Sequence, residues 1–410
     1  MKRRLMFGVA VAAAAALTLA GCSGSGDSKK EAGSLTWAMW IAGQEDQNAW
    51  QKVADQVTTD NPGVKVTIQG APWNDYWTKI STQLSSNNAP CIVSMQSLRV
   101  SNYTEGLLPL DELVKKSGLN LDEYDRSALD GLTVDGKLYA LPYDTGPMLL
   151  FYNKDMFREA GVELPTPDWS VDQFEAAGEK FKAKGKTLFA STVEDLYLES
   201  QMLAYNGGKL LKSDGSLDIE NPEFAKGLDW LNSLVKKGYA TQASGADSSA
   251  DDNAFVNGDA ASYIDGAFSL LGQKAKVKFD LGVATLPAGT TPATYSAGSG
   301  FGISKQCDQP EDALKAITTM TGEKVLTELA SAGRAFPART AAQPAWFANT
   351  GLDGVEETFA AAQKSAIPLP GNPASEQINQ LLAQYAIQAI NGQSTGAEVL
   401  KQIAAQIPSK

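Results

Sequence analysis

Histidine is absent from all 410 residues. Without an imidazole the chain has no Ser-His or Cys-His nucleophile pair, no histidine general acid or base and no histidine-ligated zinc or haem, so acyl-transfer and metalloprotease chemistry drop out. A cationic surplus is missing too: 35 Lys+Arg stand against 47 Asp+Glu, a formal net charge of −12. That excludes a non-specific grip on phosphate backbones, and no nucleic-acid partner is expected. Cysteine is scarce, at three. Outside the N-terminus no apolar run reaches the ~18 residues of a membrane span. Neither a repeat of fixed period nor a long low-complexity linker divides the body, and no cofactor or metal motif is visible. The length leaves room for two or three domains of ~100 to 200 residues.

What is present begins with an address. Lys2, Arg3 and Arg4 precede an uncharged stretch from Leu5 to Leu19. A basic head and a short apolar run describe an export signal, too short and wrongly flanked for a spanning helix. Leu19-Ala20-Gly21-Cys22 resembles the lipobox of bacterial lipoproteins, in which the cysteine carries diacylglycerol and becomes the first mature residue. An ordinary signal followed by a coincidental cysteine is the alternative. Residues 1–21 are thus expected to be a lipoprotein signal peptide and 22–33 a lipidated tether, rich in Ser, Gly and charge and reaching at most ~40 Å. The expected location is the outer face of a bacterial cytoplasmic membrane. Loss of Met1–Gly21 removes three positive charges and takes the net charge from −12 to −15. Cys91 and Cys307 remain, in a compartment that permits disulfides; a bridge and two buried thiols are both open.

The body reads as α/β. Leu35–Trp40 is a strand-length apolar run, and Ala49, Trp50, Val53 and Val57 recur at helical spacing until Asn61-Pro62-Gly63 stops them. Val64, Val66 and Ile68 alternate as in a strand, Tyr76, Ile80 and Leu84 mark a second helix, and Cys91–Met95 is a short strand. This β-α-β-α-β order predicts a mostly parallel sheet covered by helices. A strand with a turn is expected over Gly136–Tyr143, a buried strand over Met148–Tyr152, and helices over 171–183, 196–205, 222–237 and 251–257. Strands are expected over 261–264, 281–284 and 301–304, with a helical region from Pro310 onward.

Ordered along nearly the whole mature chain are Asn61-Pro62-Gly63-Val64-Lys65-Val66, Gly106-Leu107-Leu108-Pro109-Leu110-Asp111, Leu141-Pro142-Tyr143 leading to Phe151-Tyr152-Asn153-Lys154-Asp155-Met156-Phe157, Phe255-Val256-Asn257-Gly258-Asp259 with Asp265-Gly266, Gly302-Ile303-Ser304-Lys305, and Pro337-Ala338-Arg339. In these segments the chain resembles the extracellular solute-binding proteins of ABC importers, in the carbohydrate-binding family that includes maltose-binding protein. The resemblance implies a two-lobed periplasmic-binding-protein-like fold with a multi-strand hinge. Its first lobe would span 34–144 and 298–342, and its second 145–297 and 343–410. It also implies a strand near Phe301–Ser304 antiparallel to the one starting at Cys91, which would bring Cys91 beside Cys307 for a disulfide. Implied partners are a sugar, expected to be an oligosaccharide, and the membrane permease subunits; contact with the membrane would be through the anchor alone, and the protein is expected to be a monomer.

A sugar offers C–H faces and hydroxyl edges, so its cleft needs flat aromatic platforms together with carboxylates, amides and arginines. In doubly wound sheets the ligand lies beyond the carboxyl ends of strands. That rule nominates Trp40, Gln44 and Glu45 after the first strand, Trp73 on the loop after the second, and Gln96 after the third, with Arg99 offering a guanidinium. Asp144 stands at an expected lobe crossing. By the resemblance, Asp195 and Tyr197 would take a polar and a stacking role, Asp265 and Phe268 fall in the counterpart of a Gly-x-Trp segment, Gly300 would let the backbone approach the cleft, and Arg334 would offer a bidentate fork. Core packing, capping or a surface ion pair is the competing fate for each. The same fold holding a polyamine or a peptide, or a secreted glycosidase with two carboxylates ~5 to 9.5 Å apart, are the competing functions.

Overall fold

The computed structural model describes residues 33–41, 43–86, 88–244, 249–369 and 371–407, with the side chains of Asn74 and Asp195 not among them. The export signal and Cys22 lie outside the described residues.

Strands β1 (Ser34–Trp40), β2 (Lys65–Ala71) and β3 (Ile92–Gln96) are separated by helices α1 (Gln44–Asp60) and α2 (Trp73–Ser85). β1 pairs in parallel with both β2 and β3, the arrangement expected from the β-α-β-α-β order. Further along come a hairpin of β4 (Thr133–Val134) and β5 (Lys137–Leu138), then β6 (Ala140–Asn153), β7 (Thr187–Phe189), β8 (Ala260–Gly266), β9 (Leu281–Ala284), β10 (Thr294–Ile303) and β11 (Ala366–Pro368). The larger sheet runs β2-β1-β3-β10-β6-β8-β7, with β9 on β6 and β11 on β10.

The strand with a turn expected over Gly136–Tyr143 is two elements. Asp135 and Gly136 both take positive φ, 49° and 73°, the conformation a two-residue hairpin loop needs, and β6 starts afresh at Ala140. β6 then runs unbroken for 14 residues through what looked like a separate strand at Met148, because Pro147 lies opposite Ser296 of β10 and the pairing carries across it.

Three apolar cores form around this sheet. One gathers Leu35, Trp37, Trp50, Ile80, Leu141, Tyr143, Phe301 and Ile317; a second gathers Met148, Leu150, Tyr152, Phe157, Phe174, Leu228, Tyr295, Leu382 and Leu400. β6 and β10 supply both, at opposite ends of each strand. On β6 the period of two is visible in the packing: Leu149 and Phe151 turn away from the second core into a third, with Tyr263, Phe336, Trp346 and Phe359. Trp346 is 1 % exposed and edge-on to Phe336 at 5.1 Å, so it is a core residue.

Cys91 opens β3 and Cys307 lies just past β10, which runs antiparallel to β3 in register Ile303↔Ile92. The two cysteines are joined by a disulfide, their Cα atoms 4.6 Å apart.

Candidate functional site

A cavity of about 710 Å³ opens where β6 and β10 pass between the first and second cores. Its wall is assembled from the carboxyl end of β1, the first turns of α1 and α2, the loop after β3, the middle of β6 and β10, the start of the helix Asp195–Asn206, and the helix Ser375–Ile390.

The aromatic side is built on β1 and α2. Trp40, the last residue of β1, meets Trp73 at 5.1 Å, Tyr76 at 5.3 Å and Trp77 at 5.7 Å between ring centroids. Tyr76 is buried and donates its hydroxyl to the Ser94 carbonyl at 2.6 Å, which anchors the cluster to β3. Trp73 is 38 % exposed and lines the cavity, although it opens α2 and does not sit on a preceding loop; Pro72 supplies the turn before it. Arg99 stands over the rings of Trp73 and Trp77 at 5.3 and 4.9 Å. Opposite, Tyr197 and Phe268 contribute two more rings, with Phe268 41 % exposed.

The arginines of this wall are matched by carboxylates. Arg334 is ion-paired with Asp46, both lining the cavity. Arg99 is hydrogen-bonded to the Gln96 amide oxygen and pairs with Glu376 at 3.3 Å. Asp144 is the one residue of β6 not fully buried, and its carboxylate accepts the Ser299 backbone N–H. Burial pushes that carboxyl up from 3.8 to about 7, against the pull of the hydrogen bonds from Ser299. Tyr143, beside it, is held well above the ordinary phenol range by burial and by Asp144. Among the described residues no group of three or more His, Cys, Asp or Glu is placed to hold a metal ion.

Of the residues nominated from the sequence, Trp40, Trp73, Gln96, Asp144, Tyr197, Phe268 and Arg334 share this one cavity. Of the others, those whose side chains are described do not line it. Gln44 is exposed and donates to Asn48 at 3.0 Å, one turn along α1. Glu45 is exposed, and the next residue, Asp46, faces the cavity in its place. Asp195 opens its helix, with a side chain outside the described set. Asp265 is 5 % exposed and stands behind Tyr197. Gly300 is needed by the sheet and not by the cavity, since a Cβ there would lie 2.5 Å from the Leu141 carbonyl oxygen. Residues not nominated from the sequence include Trp50, one of the helical-period residues of α1, which sits in the first core and also lines the cavity, and Asn379, Gln380 and Ala383.

A family model described as bacterial extracellular solute-binding protein matches residues 42–326. The chain is 25 % identical over 371 residues to the diacetylchitobiose-binding protein DasA of Streptomyces coelicolor, covering 84 % of each. Its fold is similar to that of an ABC substrate-binding protein from Listeria monocytogenes solved with cycloalternan, at a TM-score of 0.78 and 24 % identity over 91 % of this chain and 97 % of that one. It is similar also to the GacH receptor of Streptomyces glaucescens, solved without ligand and with acarbose, at 0.76 and 20 % over 90 % and 96 %.

Proposed function

Because this chain belongs to the bacterial extracellular solute-binding protein family, whose members bind solutes and are not enzymes, we propose that it captures a neutral sugar, an oligosaccharide, in the 710 Å³ cavity and hands it to the permease of an ABC importer. In this reading Cys22 carries the lipid that holds it at the outer face of the membrane. Residues 34–144 with 298–342 and residues 145–297 with 343–410 are the two lobes, and β6 and β10 are the strands on which they hinge.

The observation that carries the reading is the combination of cavity-lining aromatic rings with arginines already matched by carboxylates. Trp40, Trp73, Tyr197 and Phe268 offer faces to C–H surfaces, while Arg99 and Arg334 are each matched by a carboxylate. An anionic solute would meet no unmatched guanidinium, and of the carboxylates that line the cavity, Asp46, Asp144 and Glu194, a cationic one would meet Asp144 with its charge reduced and Asp46 engaged by Arg334. A neutral polyol fits both conditions. Ligand favours the closed form only through contacts that need both lobes, which this wall, drawn from both, supplies.

Titration with mono- and oligosaccharides, followed by intrinsic tryptophan fluorescence and thermal shift, tests this. A binding sugar should change the emission of the cavity tryptophans and, at a hundred times its Kd, stabilise the fold by about 2.7 kcal/mol. Silence toward every sugar, with a response to a polyamine or a peptide, would sink the reading.

A further inference from the structure

Tyr197 and Asp265 occupy different layers of the site: Tyr197 lines the cavity and Asp265 is buried behind it. The Asp265 carboxylate is held by several donors, the Ser269 hydroxyl among them. Its Oδ1 accepts the Tyr197 hydroxyl at 3.0 Å and the Gly266 backbone N–H at 2.7 Å, and its Oδ2 accepts the Tyr263 hydroxyl at 2.7 Å. Tyr263 is 1 % exposed and wedged between Phe151 and Phe255, so the carboxylate is fixed from the core side.

A phenol owns one proton. Once it points at Asp265, the Tyr197 oxygen has only lone pairs left to offer. Burial raises the Asp265 carboxyl. In the ionised form both of its oxygens can only accept, so the bond runs from the Tyr197 hydroxyl to Oδ1, beside the Gly266 N–H on the same oxygen. Nearby, Phe268 lines the cavity with an apolar ring and adds no donor of its own.

We infer that Asp265 is a positioning residue that fixes Tyr197 as an acceptor-only contact, so that at this point the cavity selects a ligand group that donates, a free sugar hydroxyl, over an ether, carbonyl or halogen in the same place. The inference rests on the sugar reading above. It assigns the direction of one hydrogen bond, and with it one position on the ligand that must stay unsubstituted.

The test is calorimetric titration of the whole protein with maltotriose, cellotriose and N,N′-diacetylchitobiose, and with their monodeoxy and deoxyfluoro analogues. Fluorine keeps the polarity of an acceptor and lacks the proton. At one hydroxyl position both replacements should lower affinity, by roughly ten- to a hundred-fold, in the unmodified protein. Tyr197→Phe should erase that discrimination. Asp265→Asn should weaken it, because an amide can present N–H to the phenol oxygen, and should have no further effect once Tyr197→Phe is in place. A merely structural role for Asp265 would lower affinity for all analogues alike, with and without the Tyr197 hydroxyl, and that result overturns the inference. If Asp265→Asn does not fold, persistence of the discrimination in Tyr197→Phe overturns it alone. Failure of the unmodified protein to bind any of the three sugars sinks the sugar reading and the selection with it, an outcome plainly different from binding without discrimination.

Discussion

Asp144 shows how one residue can be nominated for a simple reason and owe its properties to another. It lies at the cavity, in contact with the Ser299 amide, and burial lifts its carboxyl to about 7. Between about pH 4 and pH 7 the folded chain therefore keeps a proton that the unfolded chain has released. Stability falls as pH rises through that window, with the loss complete above about 7 and amounting to ~4 kcal/mol at most. Asp144→Asn keeps an acceptor for Ser299 and has no proton to lose, so its advantage in Tm over the unmodified protein should grow from pH 5 to pH 8. Thermal melts at the two pH values check it; an equal difference at both would remove Asp144 as the titrating group. The aromatic half of the site was legible at this scale, because Trp40 and Trp73 follow strand ends and the ligand side of such a sheet is known in advance. Asp265 was not. β8 is buried along its whole length, so no alternation of polar and apolar residues reveals which way its carboxylate turns.

At the scale of elements, the parallel strand–helix order at the start of the chain could be read directly, since β2 alternates and α1 and α2 carry clean helical periods. Harder cases had physical causes. β6 is apolar on both faces, so its true length of 14 residues carries no period to count. β7 has three residues, too few to show a pattern, and takes its place only through parallel pairing with β8. β10 draws on glycine where it passes its neighbours: a Cβ on Gly298 would lie 2.6 Å from the Asp144 carbonyl oxygen, and one on Gly300 would lie 2.5 Å from that of Leu141. Both obstacles are backbone and cannot rotate aside. Gly300→Ala should therefore destabilise by about 1–3 kcal/mol, measured by urea denaturation, through displacement of β10 from β6. A change within experimental error would show that the two strands can separate without cost at this point.

For the whole molecule, the disulfide between Cys91 and Cys307 is a covalent link that spans 216 residues of sequence. It joins the start of β3 to the turn after β10, within the first core. Closing so long a loop restricts the unfolded chain, so the double variant Cys91→Ser/Cys307→Ser should lose about 2–5 kcal/mol. Reducing agent should move the melt of the unmodified protein in the same direction and leave the variant unchanged. The second core, which contains neither cysteine, lies on chain that the bridge encloses, from Leu98 to Ala297, together with residues from Leu369 to Ile407 that follow it. More than half of the protein is thus a covalent ring. A protease that cuts once anywhere between residues 91 and 307 opens the ring without freeing a fragment, so the nicked protein migrates as one species until a reductant divides it in two.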